Sequence, residues 1–318
     1  MPSGSNQSFQ SPEKWECPEW RQKAMWTTAF LGMICLLFGD LLSVFVERWS
    51  QEPQYSHGFA IPLIAVGLGY FLFPRVKPGR VEIGEWGFTL LFVGCVLHIM
   101  AVYVFVEFAD CLALLFCIAG GFLLIWGSKL FRGLWPAVLF LVFMFPLPFT
   151  VERMLSAPLQ IYGAKQSAWY IQLMGIPAVA RGSLIMMGEH KLGVAEACSG
   201  MRMLTVFFAI CTATIIVSNR TAWERCVLFF AAIPIALICN IGRIVATALA
   251  HHYLGQETAD LVFHDLSGWL MMPSAMLLLY VLLKMLDWVL IDRLENDKSV
   301  SSSNSPGPFP GLPTVARS

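Results

Sequence analysis

The chain alternates between long apolar stretches and short polar ones. A helix needs about 20 apolar residues to cross the hydrocarbon core of a bilayer. Runs of about that length lie near residues 25–46, 57–74, 86–106, 109–126, 134–150, 199–217, 226–250 and 268–290. This pattern predicts an all-α polytopic membrane protein with eight transmembrane helices.

Two segments between the fifth and sixth runs do not resemble simple spans. Residues 152–175 mix apolar and polar positions at helical spacing and end near Trp169 and Tyr170. This composition predicts a helix that lies at the outer membrane interface. The next segment predicts a short β-hairpin, with two extended pieces around a turn at Gly188, Glu189 and His190.

Both ends of the chain are polar. Residues 1–24 are predicted to be an irregular cytoplasmic tail, and residues 291–318, rich in serine, proline and glycine, a disordered cytoplasmic tail. The membrane domain is expected over 25–290, with an outer segment at 151–197. The first apolar run exceeds the apolar core of a signal peptide and has no clear small-residue cleavage site, so it is interpreted as a retained span.

Composition supports the membrane interpretation. The 318 residues are 57% hydrophobic and 13% charged, whereas soluble domains carry about 25% charged residues. The formal net charge is zero, which gives no basis for nucleic-acid binding. No CxxC pair and no even set of loop cysteines is present, so disulfides and zinc fingers are not expected. No residue is assigned to a cofactor or a metal ion. Seven cysteines are expected to be small core residues: Cys35, Cys95, Cys111, Cys117, Cys211, Cys226 and Cys239.

Basic residues in short loops indicate the orientation, because lysine and arginine concentrate on the cytoplasmic side. They occur in the polar segments 75–85, 127–133 and 218–225. Of the short alternate loops, only the one after the first run holds a basic residue, Arg48. The pattern places both termini in the cytoplasm.

This orientation puts Cys198 at the outer end of the sixth helix. A helix N-terminus carries about half a positive charge, and a cysteine there, near arginine or histidine, can have its pKa lowered to about 3.5–7.5. Ser199 is a candidate N-cap, and Gly200 permits close approach of another group. Arg202 lies one turn along on the same face, where it is a candidate for binding substrate carboxyl groups, tuning the thiol or forming a structural ion pair.

Two further polar residues are predicted at the same boundary. Arg243 follows Cys226 by 17 residues, about 25 Å of helix, so it falls in the outer leaflet. An arginine at the centre of a span costs about 2.5–3.5 kcal/mol and needs a polar interior. His264 precedes the eighth helix. One topology therefore brings Cys198, Arg243 and His264 to the outer rim.

These three side chains suit thiol-based acyl transfer. A thiolate attacks a peptide carbonyl and forms an acyl-thioester, a cation stabilises the oxyanion, and an acid protonates the leaving amine. Arginine is a poor acid because its pKa exceeds about 12. The chemistry favours His264 as acid and base, with Arg243 as the oxyanion clamp.

At these residues the sequence resembles the exosortase/archaeosortase family of multispanning membrane transpeptidases. The matching pieces, in the family's order and spacing, are "EACSGMR" (196–202), "NIGRI" (240–244) and "HDLSGW" (264–269). "YSHG" (55–58) and "FPLP" (145–148) are also similar to the family.

The resemblance extends over about residues 25–290 and implies a bacterial exosortase, a cysteine transpeptidase or protease that resembles sortases by convergence. It implies Cys198 as the nucleophile, completed by Arg243 and His264. The third residue is arginine in archaeal relatives. Family descriptions often make the arginine the proton donor and the third residue the transition-state stabiliser, so the division of roles stays open.

The resemblance also implies substrates and location. The substrates are exported proteins with a C-terminal sorting tail: a short motif such as Pro-Glu-Pro, a membrane helix and basic residues. The acceptor is extracellular, a polysaccharide or a lipid-linked molecule. The implied location is the bacterial inner membrane, with the lipid bilayer around the bundle and the active site on the periplasmic face. Asn240, His57 and Tyr55 are expected to support the site or bind substrate.

Two other functions are compatible with the same residues. One is a transporter or channel subunit for an exported polysaccharide, with Arg243 as an anion contact, although the paired broken helices of transporters are not evident. The other is a metal-dependent intramembrane protease, although no HExxH motif is present. Its candidate ligands are His251, His252, Asp260, His264 and Asp265.

Overall fold

A computed structural model describes residues 17–52, 55–76, 85–188, 190–193, 200–218, 220–254, 273–274 and 276–288; for 17–20, 190 and 200–203 it describes the backbone alone. The described residues are mostly helical, with one small sheet. Cys198, Ser199 and His264 lie outside the described residues, as do most of both tails.

The helices follow one another with short connections. They are α1 (Cys17–Leu37), α2 (Gly39–Gln51), α3 (Ala60–Leu72), α4 (Trp86–Val104), α5 (Glu107–Trp126), α6 (Ser128–Phe140), α7 (Phe149–Leu173), α8 (Gly200–Val217) and α9 (Ala222–Leu254). Short 3₁₀ helices cover Ser56–Phe59, Phe73–Arg75 and Leu141–Met144. Residues 276–288 are also helical.

Several of these helices are long and apolar enough to cross a membrane. Within the described residues they are Ser56–Arg75, Trp86–Val104, Glu107–Trp126 and Ala222–Leu254. Two bent helix pairs raise the number from four to six if each pair is one span, and Leu204–Val217 is a shorter apolar helix. The chain is a multi-pass helical membrane protein; eight spans and cytoplasmic termini stay predictions.

The first predicted span, 25–46, is wrong as a single helix. Helix α1 already begins at Cys17, so residues 17–24 are helical rather than irregular. The chain then bends by 79° between α1 and α2, where Gly39 is a weak helix former. The bend buries the Phe38 side chain completely, and this core contact outweighs the continuous apolar run.

The fifth predicted span, 134–150, also ends early. Helix α6 stops at Phe140, and α7 begins at Phe149 at 81° to the preceding helix. Pro146 and Pro148 lie between them; proline lacks a backbone N–H and interrupts the helical hydrogen bonds. Helix α7 itself confirms the helix predicted over 152–175. Its sharp angle to α6 is compatible with the predicted position at the interface.

The sequence predicted a hairpin of two strands, whereas the structure has a sheet of three. Strands β1 (Val179–Arg181), β2 (Leu184–Met187) and β3 (His190–Gly193) form an antiparallel sheet in that order. The missed strand precedes a two-residue turn at Gly182, whose φ of 63° is the positive value that such hairpin turns require. The buried side of the sheet packs on α7 and α9, so the sheet supports these two helices.

Polar groups of α2, α4 and α5 form two pairs between helices, one partly buried and one exposed. The His98 Nδ1 lies 2.6 Å from the Asp110 Oδ1, and the Phe38 ring centroid is 4.4 Å from that of His98. Arg48 donates to the Glu107 carboxylate at 2.7 Å. These contacts hold the α4–α5 pair against α1 and α2.

The cysteine prediction is correct in part. Cys111, Cys117, Cys211 and Cys239 are buried, as expected of core residues. It is wrong for the other three described cysteines in apolar runs, which are exposed: Cys35, Cys95 and Cys226. Hydropathy does not separate the two groups, because the lipid-facing surface of a bundle is as apolar as its core.

Candidate functional site

Arg243 lies on a largely buried face of α9. The Asn240 side chain is 3% exposed, Thr247 is 8% exposed and Ile244 is fully buried. Residues three, four and seven positions apart share one helix face, and Arg243, half-buried itself, falls on that face. An intramembrane arginine in this position fits the sequence prediction of a polar interior.

Helix α7 meets that face with small residues. Gly163, Ala164, Ser167 and Ala168 are buried, and such residues let two helix backbones approach closely. A Cβ placed on Gly163 would lie 3.6 Å from the Asn240 Nδ2 and 3.5 Å from the Ile244 Cδ1. Ser167 lies one turn after Gly163 on α7, and Arg243 lies one turn after Asn240 on α9. We use the name α7–α9 seam for Gly163 and Ser167 of α7 together with Asn240, Arg243 and Ile244 of α9.

The α7–α9 seam contains buried polar atoms that have no hydrogen-bond partner among the described residues. They are the Ser167 Oγ, the Asn240 Oδ1 and the Arg243 Nε and Nη2. Nε and Nη2 form the edge of a guanidinium that binds a carboxylate or an oxyanion through two parallel hydrogen bonds. A buried polar group without a partner costs about 1–3 kcal/mol, which is the kind of local instability found at functional sites.

The start of α8 is expected beside the same part of α9. The two helices are joined by residues 218–221 and pack along their length. Gly200 is 17 residues before Val217, and Cys239 is 17 residues after Ala222. Because the rise per residue is equal in both helices, the first residue of α8 is expected near the level of Cys239, one turn before Arg243.

The C-terminal helical segment reaches α9 at that level too. The Ser274 Oγ is 4.0 Å from the Cys239 Sγ. Residue 274 follows His264 by ten positions. Helix α7 and the helical segment at Ser274 therefore contact α9 around 239–244, and the beginning of α8 is expected at the same level.

The sequence-predicted catalytic residues are only partly covered by the structure. Arg243 is described with its side chain, whereas Cys198, Ser199 and His264 lie outside the described residues. Arg202 is in the first turn of α8, and its side chain is not described. Cys198 as nucleophile and His264 as its partner therefore stay predictions.

Tyr55 and His57 lie at the break between α6 and α7. The Tyr55 hydroxyl donates to the Glu152 Oε2 at 2.9 Å, and the His57 Nε2 is 3.2 Å from the Phe143 carbonyl oxygen. Burial, followed by the hydrogen bond and charge of Glu152, raises the pKa of Tyr55, so the phenol stays a neutral donor. The Trp49 Nε1 donates to a further carbonyl of this region, that of Met144, at 3.2 Å.

Sequence reasoning missed Ser167 and Glu152. Ser167 follows Gly163 by four positions, and small residues at this spacing are typical of close helix packing in membranes. Glu152 stands in the first turn of α7. The sequence does not show which residues Ser167 and Glu152 contact, because these contacts depend on how α7 packs against the rest of the chain.

Gly58 is required by its contact with Trp49. A Cβ on Gly58 would overlap the Trp49 indole, so Gly58→Ala is expected to destabilise the protein by about 1–3 kcal/mol through overpacking. A lower thermal midpoint of the purified protein would show this. Gly67→Ala is the matched control, because nothing lies within 4 Å of a Cβ at that site. An equal effect of both changes would contradict the packing explanation.

The residues of the metal-protease alternative do not assemble a site within the described chain. His251 and His252 lie in the last turn of α9, because the helix continues past the apolar run predicted over 226–250. Among described residues no group of three histidine, cysteine or acidic side chains could hold a metal ion. Asp260, His264 and Asp265 lie outside the described residues.

A comparison with protein families bears directly on the site. Residues 49–281 match the family model described as transmembrane exosortase (Exosortase_EpsH). The chain belongs to the transmembrane exosortase family. The match includes Tyr55, Cys198, Arg243 and His264, so it extends over every candidate catalytic residue. Members of the family are membrane cysteine transpeptidases or proteases, and the resemblance found in the sequence motifs is confirmed. Comparisons with the curated proteins and with the solved structures found no significant match.

Proposed function

We propose that this exosortase family member cleaves C-terminal sorting tails of exported proteins through a Cys198 acyl-thioester. The acyl group then passes to an extracellular acceptor on the periplasmic side of a bacterial inner membrane. The observation that carries the proposal is the unpartnered Nε and Nη2 edge of Arg243, one turn beyond the level at which α8 is expected to begin.

The length of the chain between Cys198 and α8 limits the distance of the thiol from this edge. Cys198 precedes Gly200 by two residues, and two residues span at most about 7 Å. Gly200 is expected near the level of Cys239, which is four positions before Arg243. Together these two distances are compatible with a Cys198 thiol close enough to attack a carbonyl bound to the Arg243 guanidinium.

The reaction has two halves. The Cys198 thiolate adds to the carbonyl carbon of the scissile peptide bond, and the carbonyl oxygen takes the negative charge against Arg243. The carbon–nitrogen bond breaks, the amine takes a proton from an acid, and the acyl group stays on sulfur. An amine or hydroxyl of the acceptor, or water, then attacks the thioester and restores the thiol.

The geometry of Arg243 bears on the division of roles. Its free edge suits an oxyanion, and a guanidinium does not release its proton near neutral pH. We assign Arg243 to the oxyanion and His264 to proton transfer. Ser199 and Arg202 are assigned to the start of α8 around the thiol, and Tyr55 and His57 to the support of the α6–α7 break.

A secreted reporter tests the proposed function. The reporter ends in an apolar helix of about 20 residues and basic residues, and the positions before the helix are randomised around Pro-Glu-Pro. Co-expression with the chain is expected to remove the tail from a subset of reporters, and mass spectrometry then gives the new C-terminus and any attached acceptor. Retention of every tail in cells whose membranes contain the chain would contradict the proposal. Reporters with a scrambled tail helix are the control.

A further inference from the structure

We infer that the α7–α9 seam is a subsite for the main chain of the substrate peptide, in which Ser167 and Asn240 accept a backbone N–H beside the carbonyl held by Arg243. The inference rests on the proposed function and adds to it the way in which the peptide is held. It assigns Ser167 and Asn240 to substrate positioning.

The unpartnered atoms match the hydrogen-bonding groups of a peptide. The Arg243 Nε and Nη2 are donors, and the Asn240 Oδ1 is an acceptor. The Ser167 hydroxyl can act in either way. A peptide unit offers one carbonyl and one N–H, so it satisfies both kinds of group.

An anionic ligand fits less well. The Asn240 amide has its Nδ2 directed towards Gly163. In this orientation a carboxylate or phosphate, which only accepts hydrogen bonds, would satisfy the Arg243 edge but give the Asn240 Oδ1 no donor. The seam therefore favours a neutral main chain over an acidic side chain or an anionic polymer. Arg202 stays the candidate for substrate carboxyl groups.

The seam is closed in the free protein. Ser167 is fully buried and Asn240 is 3% exposed, so a peptide reaches them only if α7 moves away from α9. The contact at Gly163 is an ordinary van der Waals one, and α7 has two places to bend: Pro158 inside the helix and the non-helical connection 145–148. The closed state leaves polar atoms unmatched, and a bound peptide removes that penalty.

Ester replacement in the substrate tests the inference directly. The full-length chain is purified in nanodiscs with a synthetic tail peptide of the sequence cleaved in the reporter assay. Each peptide bond flanking the cleavage site is replaced in turn by an ester, which removes the N–H and keeps the shape. At one bond the wild-type chain is expected to lose about tenfold in kcat/KM, the value of one buried hydrogen bond.

Ser167→Ala and Asn240→Leu are the test variants. Each is expected to lose less than tenfold in kcat/KM with the normal peptide, mainly through KM, and to lose less than the wild-type chain does when the ester replaces that bond. Such non-additivity identifies two groups that share one hydrogen bond. Gly69→Ala on α3 is the control, because Gly69 lies outside the seam and nothing is within 4 Å of a Cβ at that site; it should keep the wild-type pattern.

The thermal stability of the substrate-free protein distinguishes whether Ser167 positions substrate or stabilises the fold. Ser167→Ala removes a buried hydroxyl without a described partner, so its thermal midpoint should be unchanged or higher even though substrate is bound more weakly. A lower midpoint together with an additive ester effect in both variants would overturn the inference.

Failure of this inference and failure of the proposed function have different signatures. The alkylation rate of Cys198 by a small thiol reagent, followed by peptide mass mapping, reports the nucleophile without substrate. Rapid alkylation with additive ester effects overturns the subsite alone. Alkylation of Cys198 no faster than that of the exposed Cys226, with cleavage intact in Cys198→Ala, overturns the proposed function.

Discussion

Replacing Cys198 with alanine is expected to lower the rate of tail cleavage by about 10³-fold or more, the scale found when a covalent nucleophile is removed. Cys198→Ser should lose as much, because a serine hydroxyl at a site adapted to a thiolate is not ionised near neutral pH. The reporter assay, with equal amounts of each variant in the membrane, measures the loss.

Cys226→Ala is the matched control for this prediction. Cys226 is an exposed cysteine near the start of α9, about 25 Å along the helix from Arg243. Its replacement should leave cleavage unchanged. Full activity of both Cys198 variants would show that no thioester forms at this residue.

Replacing Arg243 with leucine is expected to lower kcat by about 10²–10³-fold, as when a donor to an oxyanion is lost. Arg243→Lys should recover only part of this rate, since an ammonium is a point charge and lacks the two-donor edge. Because the Arg243 Nε and Nη2 make no hydrogen bond to described residues, the thermal midpoint should stay the same or rise. Kinetics and thermal unfolding of the purified variants measure the two effects.

Arg220→Leu is the comparison variant, and it should affect thermal stability rather than kcat. Arg220 Nη2 lies 2.7 Å from the Asp287 Oδ1 and ties the beginning of α9 to the C-terminal helical segment. Its loss should lower the thermal midpoint and leave kcat of the folded protein nearly unchanged. If Arg243→Leu behaved in this way instead, Arg243 would be a structural residue.

The sequence predicted best those elements whose ends coincide with a change from apolar to polar residues. The runs at 86–106 and 109–126 correspond to α4 and α5 within about two residues. The bend at Gly39 and the early end of α6 could not be read from hydropathy, because burial of Phe38 and the prolines after Phe140 act within continuously apolar stretches.

Some residues of the candidate site could be identified from the sequence, and others could not. Arg243 was evident as a charge inside an apolar run, which demands a polar environment. Ser167 was not, since its meaning depends on α7 packing against α9, a contact between segments about 80 residues apart. The length of α9 was underestimated because a helix continues beyond the bilayer without an apolar signal, as at His251 and His252.

Capture of the acyl-enzyme tests most directly whether Cys198 forms a thioester with the substrate. The full-length chain is mixed with the cleavable tail peptide, quenched in acid and digested, and the fragments are analysed by mass spectrometry. We expect a hydroxylamine-sensitive thioester on the fragment containing Cys198, whose acyl part ends at the residue where the reporter is cut. Cleavage with the acyl group on another residue, or with no acyl-enzyme while Cys198 is blocked by a thiol reagent, would contradict it.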